Sequence, residues 1–436
     1  MAFSGRIVAL IALGIVPVVL TGSAATLVAW LALVVVLVVI DLLVAGSPRR
    51  LQLERELPGP VRKGDTVTTV LFLTNLGSRA VRAIVRDAWP PSTVATPNRQ
   101  RVSIPSRERR SITTTLTPFR RGERRAAAVT IRSFGPLGIA ARQASITIPG
   151  AIRVLPPFNS RKHLPSRLAQ LRELDGATPL MVRGQGTEFD SLRDYVRGDD
   201  VRSIDWRATA RRLTPDAGQK LVVRTWRPER DRRVVIIIDS GRTSAARIDN
   251  EPRIDTAFES TLLLAALASR AGDHVDTVIY DRRVRGRVQG ATGAELLNRL
   301  VTTMAPVEPE LIEMDWTAVP ALVRSVTSQR ALVVLCTSID APGASRGLLA
   351  MLPQLTRKHL VVVSSVTDPT VLETTGRRGN RTEVYQAAAA ERALLDIARV
   401  STAIRQFGAE VVTDSPADLP PALADTYIAL KAAGRL

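Results

Sequence analysis

Asp239, Ser240 and Thr243 stand in the row Asp239-Ser240-Gly241-Arg242-Thr243, directly after the β-branched run 234–238. Such a run is expected of a parallel strand covered on both faces. The carboxyl end of that strand is where open α/β sheets bind ligands. Oxygens from Asp239 and Thr243 suit a hard cation such as Mg²⁺, which takes about six oxygen ligands. Gly241, between them, has no hydroxyl to add.

A second chemistry-bearing segment lies just upstream. Between Arg193 and Arg233 there are twelve Lys/Arg against seven Asp/Glu, with Tyr195, Trp206 and Trp226 among them. The charges are too densely interleaved for an ordinary amphipathic helix or half-buried strand. Arg193, Arg202, Arg207 and Arg211 beside Asp194, Asp199, Asp200 and Asp205 could form bidentate pairs that dock the segment on its own domain. The exposed part could equally grip a partner, and both roles can hold together.

Catalytic readings find little support. His163, His274 and His359 are the only histidines, without ligand spacing to one another or to Cys336. No Gly-x-x-x-x-Gly-Lys-Ser/Thr loop appears, and Ser240 is not in a Gly-x-Ser-x-Gly elbow. Gly184-Gln185-Gly186 is too short for a dinucleotide loop, and Arg197-Gly198-Asp199 is a chance tripeptide. Cys336, the single cysteine, lies in an apolar run and reads as a small buried hydrophobe.

Together the two segments resemble a bacterial family. Glu188-Phe189, Arg193, Tyr195, Gly198-Asp199, Arg202, Ile204-Asp205-Trp206 and Ala210-Arg211, then Glu229 and the strand to Asp239, are similar to domain of unknown function 58. The Asp-x-Gly-x-Thr spacing resembles the Asp-x-Ser-x-Ser metal loop of von Willebrand factor A-type domains. The resemblance implies membrane helices, a β-rich segment, this charged motif and an A-like domain, with no established enzymatic activity. It also implies association with a MoxR-type AAA+ ATPase. In the A-type pattern a later loop supplies a threonine; here Met314 stands at that position, with Thr317 as a substitute. A second aspartate would follow the strand at 331–336, where Thr337-Ser338 stand, with Asp340 two residues on.

These residues need elements to position them. Apolar stretches at 7–20 and 25–44 flank the small residues 21–24, and the second matches the ~20 residues that span a bilayer. Arg6 precedes the pair and Arg49-Arg50 follow it, so the positive-inside rule leaves both flanks in the cytoplasm. The rival is a cleaved signal peptide ending near Ser23-Ala24-Ala25. Short Val/Thr/Ile runs at 66–73, 81–85, 111–116, 127–131 and 144–148 predict a sandwich. Strands at 234–238, 274–280, 331–336, 359–363 and 409–413 then alternate with helices at 253–271, 294–304, 316–327, 344–357, 383–407 and 420–433. That alternation predicts a parallel sheet with helices on both faces, Gly272 and Gly408 capping helices.

The expected organisation is a transmembrane hairpin over 1–47, a β-sandwich-like domain over 48–157, a linker with the charged motif over 158–230, and an α/β von Willebrand A-like, Rossmann-type domain over 231–436. The expected function is a non-enzymatic scaffold in the inner or plasma membrane, multi-pass, with its soluble domains cytoplasmic. Its partners would be a MoxR-type AAA+ ATPase and, through the hairpin, the lipid bilayer. Glu188, Arg193, Tyr195, Asp199, Arg202, Asp205, Trp206 and Arg211 are the partner-binding candidates. Asp239 and Thr243 are the metal candidates, with Mg²⁺ the possible ion and no other cofactor. The formal charge of +19 is nearly all arginine; a GC-rich genome produces that bias as readily as nucleic-acid binding, and no specific nucleic acid is expected. An anionic-lipid or nucleic-acid binder, and a metal-dependent hydrolase, are the alternatives.

Overall fold

The computed structural model describes residues 1–177, 188–196, 201–211, 221–227, 232–249 and 251–436. The chain divides into two compact units, residues 1–157 with 304–306, and residues 158–303 with 307–436.

In the first unit β1 (Ala2–Phe3) leads into α1 (Gly5–Leu13), α2 (Ile15–Thr21) and α3 (Ala24–Val44). The first apolar stretch is thus two short helices rather than one. Pro17 removes a backbone donor within it, and a side chain at Gly14 would run into the Trp30 ring of α3. Trp30 Nε1 donates to the Leu10 carbonyl across this approach at 3.2 Å. By length and composition α3 can cross a membrane, with mean hydropathy 3.1 over its most apolar window.

The strands that follow are β2 (Leu51–Glu56), β3 (Val61–Arg62), β4 (Val67–Asn75), β5 (Val81–Asp87), β6 (Gln100–Ile104) and β7 (Arg109–Leu116). Then come β8 (Gly122–Arg125), β9 (Val129–Phe134), β10 (Ala140–Ile146) and β11 (Ala151–Leu155). They form sheets ordered β1-β10-β9-β5-β6, β2-β4-β7 and β3-β11-β8. Burial alternates along β4, β5 and β9, the period of strands with one face in a core. Leu71, Leu73, Val81, Val85, Ile104 and Ile131 meet in that core, as expected of a sandwich. Beside it Arg55 and Asp87 form a buried ion pair, and Trp89 Nε1 donates to the same carboxylate at 2.7 Å.

The second unit begins with α4 (Leu164–Ala177), then β12 (Glu188–Asp194), α5 (Trp206–Arg211), β13 (Val222–Arg227) and β14 (Arg233–Asp239). After a two-residue hairpin, β15 (Arg247–Ile248) and β16 (Glu251–Pro252), come α6 (Arg253–Arg270), β17 (His274–Tyr280), β18 (Val284–Val288) and α7 (Gly293–Met304). The rest is α8 (Val319–Val326), β19 (Leu332–Cys336), α9 (Arg346–Thr356), β20 (Leu360–Val366), α10 (Pro369–Thr375), α11 (Arg381–Gln406), β21 (Glu410–Asp414) and α12 (Leu419–Ala432).

The main sheet is ordered β18-β17-β14-β19-β20-β21. Its last five strands are parallel; β18 is antiparallel and closes one edge, a departure from the all-parallel expectation. α8, α9 and α11 cover one face through Val323, Leu352 and Ile404. α6, almost wholly buried, covers the other with α12, and α4 packs against these two helices. α4 is held to α12 by Arg167–Asp425 at 2.7 Å. Gly272 and Gly408 adopt φ of 79° and 83° after α6 and α11, the left-handed step that ends a helix.

Candidate functional site

Among its parallel strands the sheet runs second, first, third, fourth, fifth in chain order. Connections therefore leave β14 and β19 in opposite directions, and the carboxyl ends of these two strands form the crevice of a doubly wound sheet. Asp239 ends β14 and Thr337 follows β19 there. Asp239 is only 3 % exposed. One carboxylate oxygen accepts from the Gly241 amide at 2.7 Å; the other accepts from the Thr337 hydroxyl at 2.7 Å and the Thr243 hydroxyl at 3.4 Å. Burial pushes the Asp239 carboxyl above the usual range, more strongly than these bonds pull it down.

The remaining positions of the A-type pattern are otherwise engaged. Asp340 accepts from Arg253 at 3.2 Å and from Ser338 at 2.8 Å. Thr317 donates to Asp315, which caps the turn before α8, at 2.6 Å. Met314 is buried, and a side chain on Gly241 would meet the Ile312 carbonyl. Asp239 and Thr243 are thus brought together, joined by Thr337 in place of a second carboxylate. As arranged, Asp239 is the one carboxylate of the set, and both its oxygens accept hydrogen bonds from protein donors.

A neighbouring network escaped the sequence reading. Asp281, just after β17, is fully buried. It accepts from Ser240 at 3.1 Å, from Arg285 at 2.5 Å and from the amides of Arg282 and Arg283. Burial alone would raise its carboxyl; Arg285 and the two amides outweigh that and hold it below the usual range. Arg285 also pairs with Glu310 at 2.5 Å, which keeps Glu310 low. The Glu310 amide donates to the Ser240 carbonyl and the Arg242 amide to the Ile312 carbonyl. The loop after α7 is thereby laced over the sheet edge. An acid directly after a strand, the criterion that singled out Asp239, would have found Asp281.

The charged motif assembles on the antiparallel pair β12 and β13 with α5 beside it. The dense charge pattern does form a strand and a helix, because the ordering comes from specific pairs rather than an apolar stripe. Asp205 caps α5, accepting from the amides of Arg207 and Ala208 at 3.0 Å each. Arg224 of β13 donates to its other oxygen at 2.7 Å. The Ala208 amide, then Arg224, hold the Asp205 carboxyl low. Ile204 is buried, while Trp206 is 66 % exposed at the start of α5. Arg211 is exposed at the end of α5, Arg202 lies in the turn before it, and Tyr195 follows β12 with its amide on the Leu221 carbonyl. Arg193 and Glu188 are on β12; Asp199 lies outside the described residues.

Comparison with known proteins gives the following. Residues 191–411, half of the chain, match the family described as "Protein of unknown function DUF58". Uncharacterized protein Rv1480 of Mycobacterium tuberculosis and uncharacterized protein Mb1516 of Mycobacterium bovis are each 23 % identical over 195 residues, 44 % of this chain. The match spans 59 % of the length of those relatives. Among solved structures, the CARDB domain of a Pyrococcus furiosus protein is 20 % identical, covering 24 % of this chain and 94 % of its own at a TM-score of 0.18. A PapD-like domain of human CEP192 is 15 % identical, covering 24 % and 90 % at 0.17. With the matched region spanning the charged motif, the Asp239 crevice and the strands around them, the chain belongs to the DUF58 family of proteins of unknown function.

Proposed function

We propose that this protein is a membrane-anchored, non-enzymatic interaction protein, and that its C-terminal unit is a von Willebrand A-like module that docks a MoxR-type AAA+ ATPase. One observation carries the reading: at the crevice between β14 and β19 both oxygens of Asp239 accept hydrogen bonds from the protein itself. A rim braced in this way is pre-organised for contact with a protein partner. Trp206, an exposed aromatic among arginines, has the composition of an interface anchor. The identity of the partner rests on the family resemblance.

Anchoring is supported by α3 and by the charges that flank the hairpin. On this reading the soluble units are cytoplasmic and the hairpin is retained in the inner membrane. Full-length protein in nanodiscs is expected to bind a purified MoxR-type ATPase from the same organism. Trp206→Ala should weaken that binding about tenfold or more, with unfolding unchanged. Tight binding insensitive to Trp206→Ala and Asp239→Ala would remove the rim and motif from the mechanism. Substrate turnover by the purified chain, supported by Mg²⁺ and lost in Asp239→Ala, would replace this reading with the hydrolase alternative.

A further inference from the structure

Both ends of the N-terminal helices return to one end of the sandwich. β1 pairs with β10 through Ala2↔Ala141 and Phe3↔Ala140. The Ser4 hydroxyl donates to the Gly138 carbonyl at 2.6 Å and Arg6 to the Leu137 carbonyl at 3.0 Å. At the far end of the hairpin, Asp41 of α3 is fully buried and accepts from the amides of Leu137, Ile139 and Ala140 at 2.8–2.9 Å. Gly135 is required there, because a side chain would run into Asp41. Arg79 donates to the Leu43 carbonyl.

Strand register places several other segments at this same end. Leu51 opposes Asn75, Val81 opposes Ile104, and Arg82 opposes Phe134. The start of β2 and the β4–β5, β6–β7 and β9–β10 loops therefore share it. Asn75 ties two of them together, its side-chain amide donating to the carbonyls of Arg79, Ile104 and Pro105. These loops carry exposed apolar tips, Leu76 at 62 % and Leu137 at 41 %, beside exposed Arg49, Arg50 and Arg107.

We propose that this end of the sandwich is a collar seated on the membrane surface, binding the headgroups of anionic phospholipids around the base of the helices. The inference rests on the anchored reading: if α3 crosses the bilayer, the segments fixed to its end lie at headgroup level. Two features select an anionic lipid surface. Guanidinium groups match phosphate in charge and hydrogen-bonding geometry, and apolar tips among basic residues favour the interface of an acidic leaflet.

The test uses the full chain in nanodiscs, in a Cys336→Ser background, with a fluorophore on a cysteine at Leu76→Cys, Leu137→Cys or, at the opposite end of the sandwich, Asp65→Cys. A quencher is attached to the lipid headgroups. The labels at 76 and 137 are expected to be quenched at least twofold more than the label at 65, and more in phosphatidylglycerol-containing than in pure phosphatidylcholine discs. Changing Arg49, Arg50 and Arg107 together to Gln should erase the lipid dependence while the hairpin stays inserted. Equal quenching at all three positions in a chain that resists alkaline extraction overturns the collar and leaves the anchor standing. A chain released by alkaline extraction overturns both. Quenching at 76 and 137 indifferent to lipid charge overturns the headgroup specificity.

Discussion

A pair of substitutions at Asp239 distinguishes a carboxylate held by the protein's own donors from one that holds an ion. Asp239→Ala strands the Gly241 amide and the Thr337 hydroxyl in a buried place, and a loss of about 1–3 kcal/mol per unsatisfied group is expected in chemical unfolding. Asp239→Asn keeps an acceptor and carries no charge to desolvate, so it should be at least as stable as the parent at neutral pH. The pH dependence follows from the raised carboxyl. The folded protein holds this proton to higher pH than the unfolded chain does. The associated stabilisation is complete below the ordinary carboxylate range and is lost as pH rises through the folded value. The advantage of Asp239→Asn should therefore be greatest at neutral pH and shrink on acidification; an advantage that grows on acidification would contradict the burial argument. Added Mg²⁺ is expected to leave the parent's midpoint unmoved. Asp239 and Thr243 were visible from their spacing alone. Asp41 was not, because a lone acid in an apolar run reads as part of a span; its cost in such a place is the clue that it must be satisfied elsewhere.

Elements built on alternation were the most legible. The five parallel strands, the one at 274–280 among them, stand where their β-branched runs predict them. β2 was missed because its third inward position is Arg55, which is buried on Asp87 instead of apolar. β18 was missed because Arg285 and Arg287 interrupt its apolar residues, a composition that suits an exposed edge. The charged motif was legible as a site and illegible as a fold, since pairs such as Asp205–Arg224 join residues remote in sequence. Asp205→Ala removes both the cap of α5 and its tie to β13, and should speed hydrogen exchange in 206–211 by about threefold or more. Arg55→Ala leaves Asp87 charged and buried without its partner, and a loss of about 3–5 kcal/mol is expected in chemical unfolding; a change under 1 kcal/mol, roughly the worth of an exposed pair, would show the pair to be open to water.

For the whole molecule, the helical hairpin is built into the sandwich through β1 and Asp41. Removing residues 1–47 deletes β1 and the Asp41 carboxylate, leaving the edge of β10 unpaired and three amides without their acceptor. Such a truncation is expected to be less stable than the full chain in detergent and to self-associate, measured by thermal unfolding and light scattering. A monodisperse fragment with an undiminished midpoint would show that the sandwich does not need its helices. The docking of Asp41 also imposes an order on biosynthesis. The amides of 137–140 emerge from the ribosome about 100 residues after Asp41, a delay of roughly 5–20 s at usual elongation rates. Throughout that interval the acid near the end of α3 must be satisfied by water or lipid headgroups, and the sheet that finally receives it closes only once the nascent chain has passed β10.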